Sequence, residues 1–411
     1  MRIKRDMYLD KLIARKHNGM VKVITGVRRC GKSYLLFELF MEHLLECGVP
    51  RDHIIDVQLE GRENKALRDP DNCNAYVRER VGKGQHYVLL DEVQLMDEFE
   101  DVLLGFLHIQ NLDVYVTGSN SKFLSSDIIT EFRGRGDQVR VHPLSFAEYH
   151  AAMGQDWDDD WDDYMTYGGM PYAATLVDDR EKAAYLQGLF EEVYLRDVID
   201  RHNVRNVGEL GELVDVIASA TGSLTNPDKL EKTFKSVKGV TLSAPTIRKY
   251  LGYFEDAFLI GEAKRYNVKG RKYIGGPLKY YFEDVGLRNA RLNFRQQEPT
   301  HIMENVIYNE LVSRGYTVDV GIVEIREGND RKQIEIDFVA NEGSRRYYIQ
   351  SAFMLSDEEK RVQEERPLVS VPDSFKKIIV VGGSQKVSRD DNGIVTMGIK
   401  QFLLNPDSLD L

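Results

Sequence analysis

The chain has 411 residues, 42% of them hydrophobic and 29% charged, a length that fits two or three domains because one core rarely serves more than about 250 residues. A net charge of −11 argues against a general nucleic-acid coat. No apolar run reaches the roughly 20 residues of a membrane span, and the start, MRIKRDMYLDKL, lacks a secretory hydrophobic region, so a cytoplasmic protein without a membrane role is expected. Cys30, Cys47 and Cys73 make neither a disulfide framework nor a paired metal motif, which suits a reducing compartment.

Residues 21–26 (VKVITG) read as a short buried strand and 32–46 (KSYLLFELFMEHLLE) as a helix with an apolar inner face. Between them stands GVRRCGKS, a glycine, four residues and Gly-Lys-Ser. Strand, glycine loop and helix together are the setting of a phosphate-binding loop. Gly26 and Gly31 let the backbone turn its N–H groups inward, and the helix N-terminus adds partial positive charge. Lys32 is placed to reach the β- and γ-phosphates, and the Ser33 hydroxyl to ligate Mg²⁺. Gly26, Val27, Arg28, Arg29, Cys30, Gly31, Lys32, Ser33 and Tyr34 are therefore the expected nucleotide-binding residues, with ATP and Mg²⁺ as ligands.

Residues 86–94 (HYVLLDEVQ) form a second apolar run, ending in Asp91-Glu92. A carboxylate at the tip of a buried strand beside such a loop gives Asp91 a place at the hydrated metal. Glu92 is then positioned to polarise an attacking water, which points to hydrolysis. A third strand, 112–117 (LDVYVT), ends in GSNS. Ser119 and Asn120 either meet the γ-phosphate or the water, or make a plain turn. In EFRGRGDQVRVHPLSFAEYH (131–150), Arg133 and Arg135 flank Gly134. They either stabilise transition-state charge, in their own chain or across the interface of a homo-oligomer, or are ordinary surface arginines.

GVRRCGKS, YVLLDEVQ, VTGSNSKFL and RGRGDQVRVHPLSFAEY, in this order, resemble the prokaryotic AAA-type ATP-binding proteins that carry a carboxy-terminal domain of unknown function. The likeness continues through YGGMP (167–171) and YLRDVIDRHNV (194–204). It implies an α/β fold: a P-loop NTPase unit with a five-stranded, mostly parallel sheet, its sensor strand lying between the P-loop strand and the acidic strand. It also implies the family roles for Gly26 to Ser33, Asp91, Glu92 and the polar strand tip.

DWDDDWDD (156–163) is expected to be a solvated acidic loop. YGGMP reads as a turn closing the first domain near residue 170, and 181–202 as a long amphipathic helix. Three helices follow at 207–220, 226–237 and 244–256, with Asn226 and Ser243 suited to their starts. Two strand-like segments then surround a basic turn. Three helices and a hairpin outline a winged helix, with Thr246, Arg248, Lys249 and Tyr250 as readers and Lys269, Arg271 and Lys272 at the wing tip. Residues 264–279 carry six basic residues and no acidic one, which favours DNA as partner. A protein-binding module or a lid is the alternative.

The remainder reads α-β-β-β-α-β: a helix at 302–315, strands at 316–325, 333–340 and 346–353, a helix near 356–366 and a strand at 376–382. This order resembles restriction-endonuclease-like nucleases, which surround a metal with a helix glutamate, a strand aspartate and an E-x-K or Q-x-K. Glu304, Asp337 and Gln350 match, but position 352 is Ala instead of Lys. Lys360, one helix on, is a candidate substitute, and a nuclease fold without nuclease activity is expected. The resulting division is 1–170, ATPase; 171–206, helical connector; 207–292, winged helix; 293–411, nuclease-like.

Overall fold

The computed structural model describes residues 2–118, 132, 134–238, 242–328 and 330–411. They form two compact units, residues 1–143 and 144–411. Among the described residues, no helix is long and apolar enough to cross a membrane.

The first unit is built on strands β1 (Val21–Thr25), β2 (Ile54–Gln58), β3 (His86–Asp91), β4 (Leu112–Thr117) and β5 (Gly136–Arg140). Their order is β2–β3–β4–β1–β5, and every pairing is parallel. The central strands β1, β3 and β4 are buried throughout. That accounts for their near-continuous apolar runs, since a parallel sheet is covered on both faces. β4 lies between β1 and β3, as the resemblance implied, so three strand tips adjoin at one end of the sheet. After β1 the chain passes through the glycine loop into helical turns at Lys32–Tyr34, a π-helical stretch at Leu35–Phe40, and Met41–Glu46.

In the second unit the acidic cluster is no solvated loop. It is the helix Trp157–Tyr167, and Trp157, Asp160, Trp161 and Tyr164 form its buried face. Both tryptophan rings meet Phe146 edge-on, at centroid distances of 4.6 and 5.3 Å. The Asp160 carboxylate, fully buried, is met by His150 Nδ1. Apolar residues at i and i+4 decided the outcome over the density of aspartates. The Gly168-Gly169 pair is a close approach as well as a turn. Gly169 N–H donates to Asp284 Oδ2 at 2.7 Å, and a β-carbon on Gly169 would lie 2.1 Å from the Leu144 carbonyl oxygen.

The helices Val207–Ser219, Pro227–Thr233 (continued as a π-helical stretch Phe234–Lys238) and Ala244–Asp256 stand where expected. Asn226 and Ser243 cap their helices by accepting from Lys229 N–H and Thr246 N–H. The following hairpin differs from the expected wing. β6 (Ile260–Ala263) pairs with β9 (Lys279–Phe282), while β7 (Arg265–Asn267) and β8 (Lys272–Tyr273) fold together between them. β7 then runs parallel to β10 (Thr317–Glu327), which carries the basic turn onto the edge of another sheet. That sheet also holds β11 (Asp330–Glu342), β12 (Arg345–Ala352), β13 (Lys376–Val381), β14 (Ser388–Arg389) and β15 (Val395–Gly398), in the order β14–β15–β13–β12–β11–β10–β7–β8. Helix Pro299–Ser313 precedes β10, and helix Glu358–Val369 separates β12 from β13, the element order read from the sequence.

Glu255, near the end of helix Ala244–Asp256, has its carboxyl pushed up to about 7 by burial, with Glu262 and Asp256 adding repulsion. A folded-state value above the unfolded one means that ionisation opposes folding. The cost is absent below about pH 4, where both states are protonated, and complete above pH 7. Glu255→Gln should leave stability unchanged at pH 4 and raise it by on the order of 1–3 kcal/mol at pH 8. Urea unfolding at the two pH values checks this; equal shifts at both would contradict it.

Candidate nucleotide site

The glycine loop is held by steric and polar constraints that the rest of the first unit supplies. Gly26 has φ +138°, and a β-carbon there would lie 2.0 Å from the Val141 carbonyl oxygen. Gly31, at φ +97°, is the residue from which the helix starts. The Cys30 thiol donates to the same Val141 oxygen at 3.3 Å. Arg5, itself buried, donates to the carbonyls of Cys30 (3.0 Å) and His142 (2.7 Å), tying the loop to the segment after β5. Arg28 and Arg29 are exposed, whereas Val27 and Cys30 face inward. The Lys32 side chain is buried, and its ammonium donates to the carbonyls of Gly26 and Val27, both at 3.1 Å. The charge thus sits across the mouth of its own loop.

Opposite it, the Ser33 hydroxyl donates to Asp91 Oδ1 at 3.0 Å. The Thr117 hydroxyl, from the tip of β4, donates to that same oxygen and accepts from Glu92 N–H at 3.0 Å. Burial pushes the Asp91 carboxyl above its ordinary value, and the bonds from Thr117 and Ser33 work against that rise. Glu92 has φ +51°, and its carboxylate accepts from the Gln94 amide. A serine hydroxyl and a carboxylate oxygen 3.0 Å apart at the foot of a phosphate loop are the hard oxygen donors that suit Mg²⁺.

The structure therefore brings together Gly26 to Tyr34, Asp91 and Glu92. Ser119, Asn120 and Arg133 lie outside the described residues. Arg135 is exposed at the start of β5; its carbonyl accepts from Val21 N–H at 2.9 Å, at the end of β1 away from the loop. Five residues of strand, about 16 Å, separate that level from the loop, beyond the reach of one arginine side chain. Within its own chain, then, Arg135 does not attend the phosphate site. Arg140, passed over in the sequence, is the arginine whose register partner is Thr25, immediately before the loop.

Thr117, Gln94 and Arg5 were also missed. A hydroxyl closing an apolar run, and an amide two residues past the glutamate, were legible signals for the first two; nothing local marks Arg5. Of the residues named for nucleic acid, Arg248 and Lys249 are exposed on helix Ala244–Asp256, and Lys269, Arg271 and Lys272 on the β7–β8 turn. Tyr250, named with them, is buried and cannot read a base.

The contact at Gly26 gives a stability test. Gly26→Ala should cost about 3 kcal/mol or more, since the backbone is left-handed and the new carbon strikes a carbonyl. Gly19→Ala, with φ +73° and nothing within 4 Å, should cost only about 1 kcal/mol. Urea unfolding of both variants checks the contrast.

Comparison with known proteins agrees with this fold. A family model described as an AAA domain matches residues 18–150, and one described as a domain of unknown function (DUF8612) matches 158–298. An uncharacterized protein of Haemophilus influenzae is 31% identical over 98% of both chains. One from Methanocaldococcus jannaschii is 27% identical over 98% of this chain and 89% of its own. Among solved structures, the Walker-type ATPase of Pyrococcus abyssi superposes with a TM-score of 0.51 at 15% identity, covering 71% of this chain and 96% of that one, a likeness of fold. The chain belongs to the family of AAA-type proteins that join a P-loop unit to a carboxy-terminal domain of unknown function.

Proposed function

We propose that the protein is a Mg²⁺-dependent ATP hydrolase whose nucleotide state moves its carboxy-terminal module. The observation that carries this reading is the chain of contacts Ser33–Asp91–Thr117–Glu92, which joins loop, metal-binding carboxylate, strand tip and base in one hydrogen-bonded set. The N–H groups of the loop and the Lys32 ammonium bind the β- and γ-phosphates once Lys32 exchanges its two carbonyl partners for phosphate oxygens. Ser33 and Asp91 hold Mg²⁺, which neutralises charge on the phosphates. Glu92 takes a proton from the attacking water. Arg140, the register partner of Thr25, is placed beside the loop to offset transition-state charge, whereas Arg135 acts across a subunit interface.

The module's target in this reading is DNA, met by Arg248 and Lys249 on a helix of winged-helix outline and by Lys269, Arg271 and Lys272 on the hairpin. One observation favours a second reading, an ATP-gated protein-interaction switch with slow turnover and no DNA role. Gln94 donates to Glu92 Oε2, and a carboxylate that already accepts a hydrogen bond is a weaker base.

Steady-state ATP hydrolysis and nucleotide binding separate the two. Lys32→Ala should weaken ATP binding at least tenfold. Glu92→Gln should abolish turnover, by a hundredfold or more, with binding kept, and hydrolysis unchanged by it would remove Glu92 as base. Thr117→Val should slow turnover with little effect on binding. Stimulation by single- or double-stranded DNA that fades with salt supports the first reading. Flat turnover that rises in Gln94→Ala supports the second.

A further inference from the structure

The resemblance to restriction-endonuclease-like proteins implied a metal centre at Glu304, Asp337 and Gln350. The structure brings these residues together, but the set does not fit a metal. Helix Pro299–Ser313 supplies Glu304 and β11 supplies Asp337. The pairing of Phe338 with Ile349, extended one step, sets Gln350 of β12 across from Asp337, and Ser351 N–H donates to Asp337 Oδ2 at 2.8 Å. Into this group comes Lys279, the first residue of β9, only 3% exposed. Its ammonium lies 2.8 Å from Glu304 Oε1, 2.7 Å from Glu335 Oε1 and 3.6 Å from Asp337 Oδ1.

Lys360, considered from the sequence as the missing cation, pairs instead with Glu364 on its own helix. The Gln350 amide nitrogen also turns to Glu364, while its carbonyl Oε1, more than nine-tenths buried, has no hydrogen-bond partner among the described residues. Among the described residues, no set of three or more His, Cys, Asp or Glu side chains is arranged to hold a metal ion.

We infer that Lys279 is a built-in counter-ion standing where such a centre would hold a divalent cation, so that the wild-type domain takes up none, and that removing the ammonium opens a cation site formed by Glu304, Glu335 and Asp337. Three carboxyl groups converging on one buried point need a cation, a proton or both. An ammonium within reach of all three supplies the first without a metal. Burial opposes the charge on Lys279, but Glu304, Asp337 and Glu335 outweigh it and raise its pKa. Tyr281 Oη donates to Glu304 Oε1 at 2.7 Å and completes the satisfied set.

The test is Mn²⁺ binding to the full-length, nucleotide-free protein, followed by the electron paramagnetic resonance of free Mn²⁺. Wild type and Asp337→Asn should give the same titration. Lys279→Met should bind one further equivalent of Mn²⁺, lost again in the double variant with Asp337→Asn. Mn²⁺ should also raise the thermal midpoint of Lys279→Met by more than that of wild type, a rescue that loss of a merely structural lysine does not produce. If Lys279→Met folds only when refolded in Mn²⁺, the inference stands; if it folds under neither condition, or folds and binds no Mn²⁺, the inference falls. It falls equally if wild type binds an equivalent of Mn²⁺, or nicks plasmid DNA in Mn²⁺, and loses either property with Asp337→Asn.

Discussion

One carboxyl oxygen organises the first unit. Asp91 Oδ1 receives a hydroxyl hydrogen bond from Ser33, at the start of the helix after the glycine loop, and another from Thr117, at the tip of β4. Thr117 is within reach only because β4 is inserted between β1 and β3. Were β1 and β3 direct neighbours, Thr117 could not stand between their tips, and Glu92 N–H would lose the oxygen that holds it at its left-handed turn. The strand order is in this sense a requirement of the site. The apolar bodies of the strands form the core, and their polar last residues are what that core positions.

Both units also bury strand lysines, and treat them differently. Lys22, fully buried in β1, meets Asp113 and donates to the Met20 carbonyl at 2.9 Å, an ion pair in which burial lowers the lysine's pKa. At Lys279 the carboxylates prevail and the shift is upward. Lys22 is paired with one carboxylate, whereas three carboxyl groups lie within 3.6 Å of the Lys279 ammonium. A buried ion pair is weak evidence of stability, because the cost of leaving water offsets the attraction. An ammonium shared by three carboxylates, however, relieves a repulsion that the fold itself creates by bringing Glu304 of helix Pro299–Ser313 to the same point as Glu335 and Asp337 of β11.

What was legible in the sequence follows the same division between local and distant. The glycine loop, Asp91-Glu92 and the three helices were readable because spacing, a strand-ending acid and helix caps are local signals. The aspartate-rich helix was misread because its two tryptophans, one helical turn apart, count for more than the carboxylates between them. The pairing of β7 with β10 joins residues some 55 positions apart, and no short-range pattern announces it. Lys279 was hidden for the same reason: it closes a basic run that looks uniformly solvent-facing, and only its distant partners mark it as buried. Arg135 and Arg140 lie in one stretch, and only strand register separates the arginine near the loop from the one at the far end.

That register also changes the weight of the basic residues assigned to DNA. β8 is one of the two edge strands of the eight-stranded sheet, and Lys272 lies on it, with Lys269 and Arg271 in the adjoining turn. Charged residues on a sheet edge have a role that needs no ligand, since they keep an unpaired strand from recruiting another chain. Lys269 is in addition engaged by the Glu324 carbonyl, which it meets at 2.8 Å. The hairpin cations thus have a role in the sheet they close that is separate from any contact with DNA. Arg248 and Lys249 have no edge to protect; they stand on the outer face of a helix whose inner face, Ile247, Tyr250, Leu251 and Phe254, is buried. For a chain of net charge −11, it is this pair on the third helix, more than the acid-free run that first drew attention, on which a nucleic-acid role rests.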